Sequence, residues 1–199
     1  KDVFGYHPLG RPILGEPRSM QRLSRQSLVQ YKEKHYRPEK TIVAVAGNFS
    51  FPQIIEYVNT YFGQWKGRGH RKVSSAFRDE PWPAQPQERQ SLHPKPLEQV
   101  HVCVGFKGLP VGHQDRYAAY VLSTILGGGV SSRLFQEIRE NRGLAYTIYS
   151  HLSSFLDGGM LTVYAATRPN EVIAVIDQIC KETAKLCSRV VNEKELERT

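Results

Sequence analysis

Arg139 and Tyr146 lie seven positions apart in a chain of 199 residues, and together they offer a guanidinium and a phenol. The guanidinium carries a fixed fork of donors, and the phenol adds one more. Aimed at one point, such donors grip a peptide carbonyl or stabilise the oxyanion that grows from it. Neither group activates water, because arginine stays protonated and cannot serve as a base. The pair reads as half of an active site. Each residue also has a plainer reading. An arginine in the last turn of a helix meets the negative end of the macrodipole, or pairs with Glu137 or Glu140. A tyrosine at a strand start is commonly a half-buried aromatic with a wet hydroxyl.

The segment that must position them is Ile125–Tyr146, ILGGGVSSRLFQEIRENRGLAY. Gly127, Gly128 and Gly129 end a preceding helix. Ser131 or Ser132 caps the next one, with Leu134, Phe135 and Ile138 facing inward. Asn141, Arg142 and Gly143 stop it, and a strand opens near Tyr146. The arginine and the tyrosine thus reach one sheet edge from two different elements. The glycine run lacks the Gly-Lys-Ser/Thr that completes a phosphate loop. It reads as a helix stop with close backbone packing. Arg133 either structures this loop or binds substrate, and the sequence does not choose between them.

Upstream, Ser24 reads as the N-cap of a helix that Arg37-Pro38 stops. Thr41–Ala46, TIVAVA, is a short apolar β-branched run that predicts a central strand. Ser50 and Gln53 fit a capping box, and the helix they start carries Ile54, Ile55, Val58, Tyr61 and Phe62 as a core stripe. Residues 66–96 then read as a proline-rich linker, which Trp65 and Trp82 pin to a neighbouring surface. Val100, Val102, Val104 and Phe106 alternate as in a strand. Tyr117, Ala118, Val121, Leu122 and Ile125 predict the inward face of the following helix. Leu144–Ser153 and Met160–Ala166 predict two strands joined by a hairpin at Leu156–Gly159. A long helix follows, with Val172, Ile176, Ile179, Thr183 and Leu186 as its core row, and Asn192 with Glu195 signals another helix start.

Composition narrows the function classes. Hydrophobic residues make up 40% and charged residues 23%, which suits a packed core rather than disorder. No apolar run reaches the roughly 20 residues that span a bilayer. The net charge of +8 permits attraction to nucleic acid or acidic peptide, but the basic residues are spread out, so a solvated surface is the simpler reading. Cys103, Cys180 and Cys187 are too few and odd in number for a disulfide framework. His101 and Cys103 share one strand face, and two ligands do not make a metal site.

Three stretches carry a resemblance to a known family. HPLGRPILG at His7–Gly15, YKEKHYRPEKTIVAVAGNF at Tyr31–Phe49 and GFKGLPVGHQDRYAAYVLSTILGGGVSSRLFQEIRENRGLAY at Gly105–Tyr146 resemble the pitrilysin/insulinase-type zinc metallopeptidases, in their mitochondrial-processing-peptidase-like branch. The order of the stretches fits, and together they cover nearly the whole chain. The resemblance implies two similar α/β halves enclosing a chamber, zinc held in the first half by a His-x-x-Glu-His motif, and an arginine and a tyrosine from the second half that hold the substrate. Arg139 and Tyr146 match those two, and the family's glycine-rich loop matches Gly127–Gly129. The zinc motif does not carry over. The chain has seven histidines, and no two are separated as the motif requires.

On this resemblance residues 1–65 are the end of the first, zinc-type half, residues 66–96 the linker, and residues 97–199 most of the second half. The expected fold class is α+β, with a mixed, mainly antiparallel sheet and helices packed on one face. The expected role is a fragment of a zinc-dependent endopeptidase that binds peptide and polarises its carbonyl. Zinc would belong to the full-length protein or to a partner subunit, and neither zinc nor the catalytic base would come from this chain, which alone would be inactive. The expected partners are a peptide or protein substrate and the missing zinc-binding half or partner subunit, with a homodimer possible through an open sheet edge. No specific nucleic acid and no membrane span are expected. Both chain ends read as cut from a longer protein. The alternative is a non-catalytic structural subunit of the same superfamily. The compartment is left open: cytoplasmic or periplasmic in a bacterium, mitochondrial in a eukaryote.

Overall fold

The computed structural model describes residues 3–5, 7–67 and 90–198. They belong to two units, residues 11–79 and residues 1–10 with 80–199. Most of the expected linker at 66–96, including Trp82, lies outside the described residues.

The unit from residue 11 contains helices α1 (Pro17–Gln21), α2 (Arg25–His35) and α3 (Phe51–Phe62). Ser24 caps α2 as expected. Its Oγ accepts from the Ser27 amide at 3.1 Å, and its own amide donates to Ser27 Oγ at 2.9 Å, so two amides that a helix start leaves orphaned are satisfied together. Ser50 precedes α3, but its side chain makes no capping bond. Pro52 in the first turn presets the helical φ instead, and Gln53 Nε2 donates forward to Tyr57 Oη at 3.0 Å.

Two expectations for this unit need correction. Thr41–Ala46 is not a strand: no strand among the described residues supplies a ladder to it, and Ile42 is 92% exposed. The α3 stripe is not a core, because Ile54 and Val58 are only half-buried and Ile55, Tyr61 and Phe62 are exposed.

The second unit holds strands β1 (Val100–Gly108), β2 (Ala145–Ser154) and β3 (Gly159–Thr167), and helices α4 (Arg116–Gly127), α5 (Val172–Ser188) and α6 (Glu193–Glu197). The strands form one antiparallel sheet in the order β1-β3-β2. β3 is central, which suits its apolar sequence, and Val163 and Ala165 are fully buried. A tight hairpin joins β2 to β3, with the Phe155 amide donating to the Gly158 carbonyl at 2.7 Å. Leu126, Leu134, Ile138, Val175 and Ile179 complete the core from the helical layer. The fold is α+β, as the sequence predicts.

The inward row of α5 runs through Val175, Gln178, Ile179 and Glu182, which shares only Ile179 with the predicted row; Val172, Ile176, Thr183 and Leu186 are half-buried beside it. The inward face of α4 differs from prediction. Of the predicted face Ile125 is buried, but Tyr117 is 65% exposed and Val121 and Leu122 are exposed too, while Ser123, Leu126 and Gly127 are buried. Helix α4 packs on β2 through its small residues. Ser150 Oγ donates to the Ser123 carbonyl at 2.6 Å and lies 3.3 Å from Ser123 Oγ. A side chain at position 127 would sit 2.5 Å from the Ser150 amide nitrogen, so this contact requires glycine.

Residues 3–5 and 7–10 join the same unit at the hairpin. The Phe4 ring meets Phe155 edge-on at 6.2 Å. His7 Nδ1 accepts from the Leu9 amide at 3.2 Å, so its Nε2 carries the ring proton in the neutral form and faces Asp157 Oδ2 at 3.2 Å.

The Gly127–Ser150 contact gives a stability prediction for the full-length protein. Gly127→Ala lowers unfolding stability by about 1–3 kcal/mol through overpacking. Gly129→Ala, where an added Cβ meets nothing within 4 Å, changes it by less than about 0.5 kcal/mol. Denaturant titration of the two variants checks this; equal loss in both would contradict it.

Candidate functional site

Arg139 sits in a π-helix, Phe135–Asn141. A π-helix winds one residue wider than an α-helix and is common at functional sites. Its inward side is fixed by Leu134 and Ile138, both fully buried. Gly143, at φ 60°, then reverses the chain, a conformation that suits glycine. The Leu144 amide donates back to the Ile138 carbonyl at 2.9 Å, and the Gly143 amide to the Arg139 carbonyl at 3.1 Å. Thr167 Oγ1 donates to the Leu144 carbonyl, which ties the reversal to the end of β3.

Tyr146 follows immediately, in a β-bulge. Ala145 pairs with Thr167 and Thr147 pairs with Ala166, so Tyr146 is the extra residue between them. A bulge re-aims a side chain and changes which residues point inward. Ala145 faces the core before it; Ile148, Ser150 and Leu152 face the core after it. Tyr146 itself is 73% exposed.

These two irregularities bring the sequence-predicted residues together. The Arg139 guanidinium lies over the Tyr146 ring, 5.4 Å from its centroid, and over the Phe135 ring at 4.7 Å. Phe135, read from sequence as a core residue, is half-buried and serves as a second aromatic face for the cation. Its four-residue spacing from Arg139 was the available signal. Glu140 approaches Arg139 Nε at 4.0 Å, beyond hydrogen-bond reach. Glu137 is engaged elsewhere. It accepts from Arg142 Nε at 2.7 Å and Asn141 Nδ2 at 3.3 Å, and the Arg142 bond, then the Asn141 bond, hold its carboxyl below the ordinary range.

The three glycines have separate places. Gly127 makes the contact with Ser150, and Gly128 approaches Thr124 too closely for a side chain. Gly129 is exposed, and its carbonyl accepts from the Ser132 amide at 3.1 Å and Ser132 Oγ at 2.6 Å. Ser132 is thus the residue that closes the loop. Arg133 turns to Glu195 of α6 in a bidentate pair, at 2.6 and 2.8 Å.

The donor set does not fit zinc. Among the described residues no group of three or more His, Cys, Asp or Glu side chains converges on a metal position. His101, one of the two considered with Cys103, has Nδ1 at 2.7 Å from Tyr164 Oη. Among the described residues no helix is long and apolar enough to cross a membrane.

Comparison with known proteins places the chain in a family. A family model described as the peptidase M16 inactive domain matches residues 22–199. The chain is 39% identical over 197 residues to an uncharacterized zinc protease of Bacillus subtilis (strain 168), covering 99% of this chain and 46% of that protein. It is 40% identical over 186 residues to an uncharacterized zinc protease of Mycobacterium tuberculosis (strain ATCC 25618 / H37Rv), covering 92% of this chain and 42% of that one. The chain therefore spans about half the length of the curated relatives it matches. Two crystal structures share the fold. One is a protease from Helicobacter pylori, with a TM-score of 0.75 at 22% identity, covering 93% of this chain and 45% of that one. The other is a peptidase M16 inactive domain from Pseudomonas fluorescens, with a TM-score of 0.75 at 23% identity, covering 100% and 47%.

The Glu137 clip sets a pH dependence. A carboxyl held lower in the folded state than its unfolded value, about 4.3, contributes stability that is present above that value. The contribution is lost as pH falls through the lower folded pKa, since the unfolded chain there binds more protons. Replacing Glu137 with Gln is expected to flatten the fall in melting temperature between about pH 5 and pH 3. Parallel slopes for the variant and the parent in thermal melts would refute this.

Proposed function

Because this chain belongs to the peptidase M16 inactive-domain family, we propose that it is the substrate-holding half of a zinc-dependent endopeptidase. Arg139 and Tyr146 bind the peptide and polarise its scissile carbonyl. The observation that carries this reading is the paired placement of guanidinium and phenol at an exposed strand start. One is brought there by a π-helix and the other by a bulge. Donors held in place before the reaction stabilise developing negative charge without reorganising during it. The guanidinium supplies a permanent positive charge, and the Tyr146 hydroxyl supplies a directional donor. Backbone groups along β2, an edge of the described sheet, are available to an extended peptide that adds as a further strand.

Zinc and the water-activating base come, in this proposal, from the other half of the protein or from a partner subunit. The relatives are named zinc proteases and are about twice as long as this chain, while the described residues offer no metal site. Residues 1–65 would then close the zinc-type half, residues 66–96 would connect, and residues 97–199 would form the second half.

The test is the full-length protein with zinc and a peptide substrate. Arg139→Ala is expected to lower kcat by about 100- to 1000-fold, the scale of losing one oxyanion donor, and Tyr146→Phe to lower it less. The 199-residue chain alone is expected to show no hydrolysis under the same conditions. Unchanged turnover in Arg139→Ala would remove the assigned role.

A further inference from the structure

The bidentate pair between Arg133 and Glu195 joins two residues 62 positions apart. Both side chains are about four-fifths covered, at 19% and 20% exposure. Arg133 stands just before the π-helix. Glu195 lies in α6, which is held by Asn192: Asn192 Oδ1 accepts from the Glu195 amide at 2.9 Å. We propose that Arg133 and Glu195 are a positioning pair that fixes the rotation of the π-helix, and with it the aim of Arg139. This rests on the reading of Arg139 as a substrate-contacting residue.

The geometry supports more than simple docking of α6. The π-helix is only seven residues long, so side-chain contacts along it and at its two ends can set its rotation. At the far end Arg142 and Asn141 clip Glu137. Along the inward side Leu134 and Ile138 are buried. At the near end Gln136 Nε2 donates to the Val130 carbonyl at 2.7 Å, and the Arg133–Glu195 pair adds two parallel N–H to carboxylate bonds, which are directional in a way that one bond or a diffuse charge contact is not. Helix α6 has five residues, none of them buried, so it contributes little apolar burial of its own. Its contribution here is the carboxylate. The Arg133 hydrogen bond lowers the Glu195 carboxyl from its ordinary value.

The experiment uses the full-length zinc-loaded protein with Glu195→Gln and the charge exchange Arg133→Glu/Glu195→Arg, each also combined with Arg139→Ala. Two readouts are taken: steady-state kinetics, and hydrogen exchange at the Leu144 and Gly143 amides, whose acceptors are in the π-helix. Glu195→Gln is expected to lower kcat about 10- to 100-fold, the scale of a small misplacement. KM should change less than kcat, and Leu144 and Gly143 should lose exchange protection while β3 amides keep theirs. In the Arg139→Ala background the substitution should cause no further loss of kcat, and the charge exchange should restore part of it. Full activity and full Leu144 protection in Glu195→Gln would overturn the proposal. So would an undiminished further loss in the Arg139→Ala background, or an equal loss of protection in β3, which would make the pair merely structural. If Arg139→Ala proves silent while Glu195→Gln still unprotects Leu144, the reading of Arg139 fails and the hold of the pair on the π-helix stands.

Discussion

Between Asn141 and Ala145 the chain leaves a helix and enters a strand while both elements keep their apolar sides on one core. Leu134 and Ile138 face inward on the helix, and Ala145 and Ile148 face inward on the strand. Regular geometry would not reconcile these positions. A strand alternates sides at every residue, so Ala145 and Ile148 share a face only if one residue is inserted between them. The bulge at Tyr146 is that insertion. The π-helix is a comparable insertion in the helix. Each candidate site residue directly follows a buried one: Arg139 follows Ile138, and Tyr146 follows Ala145. The core fixes the buried residue, and the irregularity sends its neighbour outward.

The position of the sheet beneath this reversal depends on how close α4 comes to β2. Gly127 and Ser123 let the helix backbone approach Ser150. Large apolar residues on the same helix, Tyr117 and Leu122, are turned away. Counting apolar residues on a helical wheel predicts a different face, which shares only Ile125 with the buried one. The contact is selected by small size and by a buried hydroxyl that needs a carbonyl partner, neither of which a hydropathy pattern weighs. The same limit applies to Thr41–Ala46. An apolar β-branched run states what the segment favours, but a strand exists only where a neighbour completes its hydrogen bonds.

What was legible from sequence was therefore local. Ser24 and Asn192 announced helix starts because capping is settled within four residues. The alternation from Val100 to Phe106 and the hairpin after Leu156 were likewise short-range signals. Arg139 and Tyr146 could be singled out by residue type, by their neighbouring elements and by family resemblance. The rest of the site was not local. The bulge follows from core parity, the π-helix from the packing of Ile138, and the partner of Arg133 lies beyond two strands and a helix. Asn192 and Glu195 read as a helix start and nothing more, because sequence separation hides what Glu195 meets.

The charges around Arg139 have a consequence for its chemistry. A guanidinium neutralised by a bidentate carboxylate has little field left for a substrate, and the π-helix places Glu137 within the same short segment. The structure gives Glu137 to Arg142 and Asn141 and backs Arg139 with two aromatic faces. Aromatic faces hold a cation by their quadrupole without cancelling its charge, and they leave its N–H donors directed outward along the guanidinium plane. Arg142 thus engages one of the two carboxylates in this segment, while Glu140 stays 4.0 Å from Arg139 Nε. Two arginines in one turn, often read as a diffuse basic patch, divide into one bonded to a carboxylate of its own segment and one held against two aromatic rings.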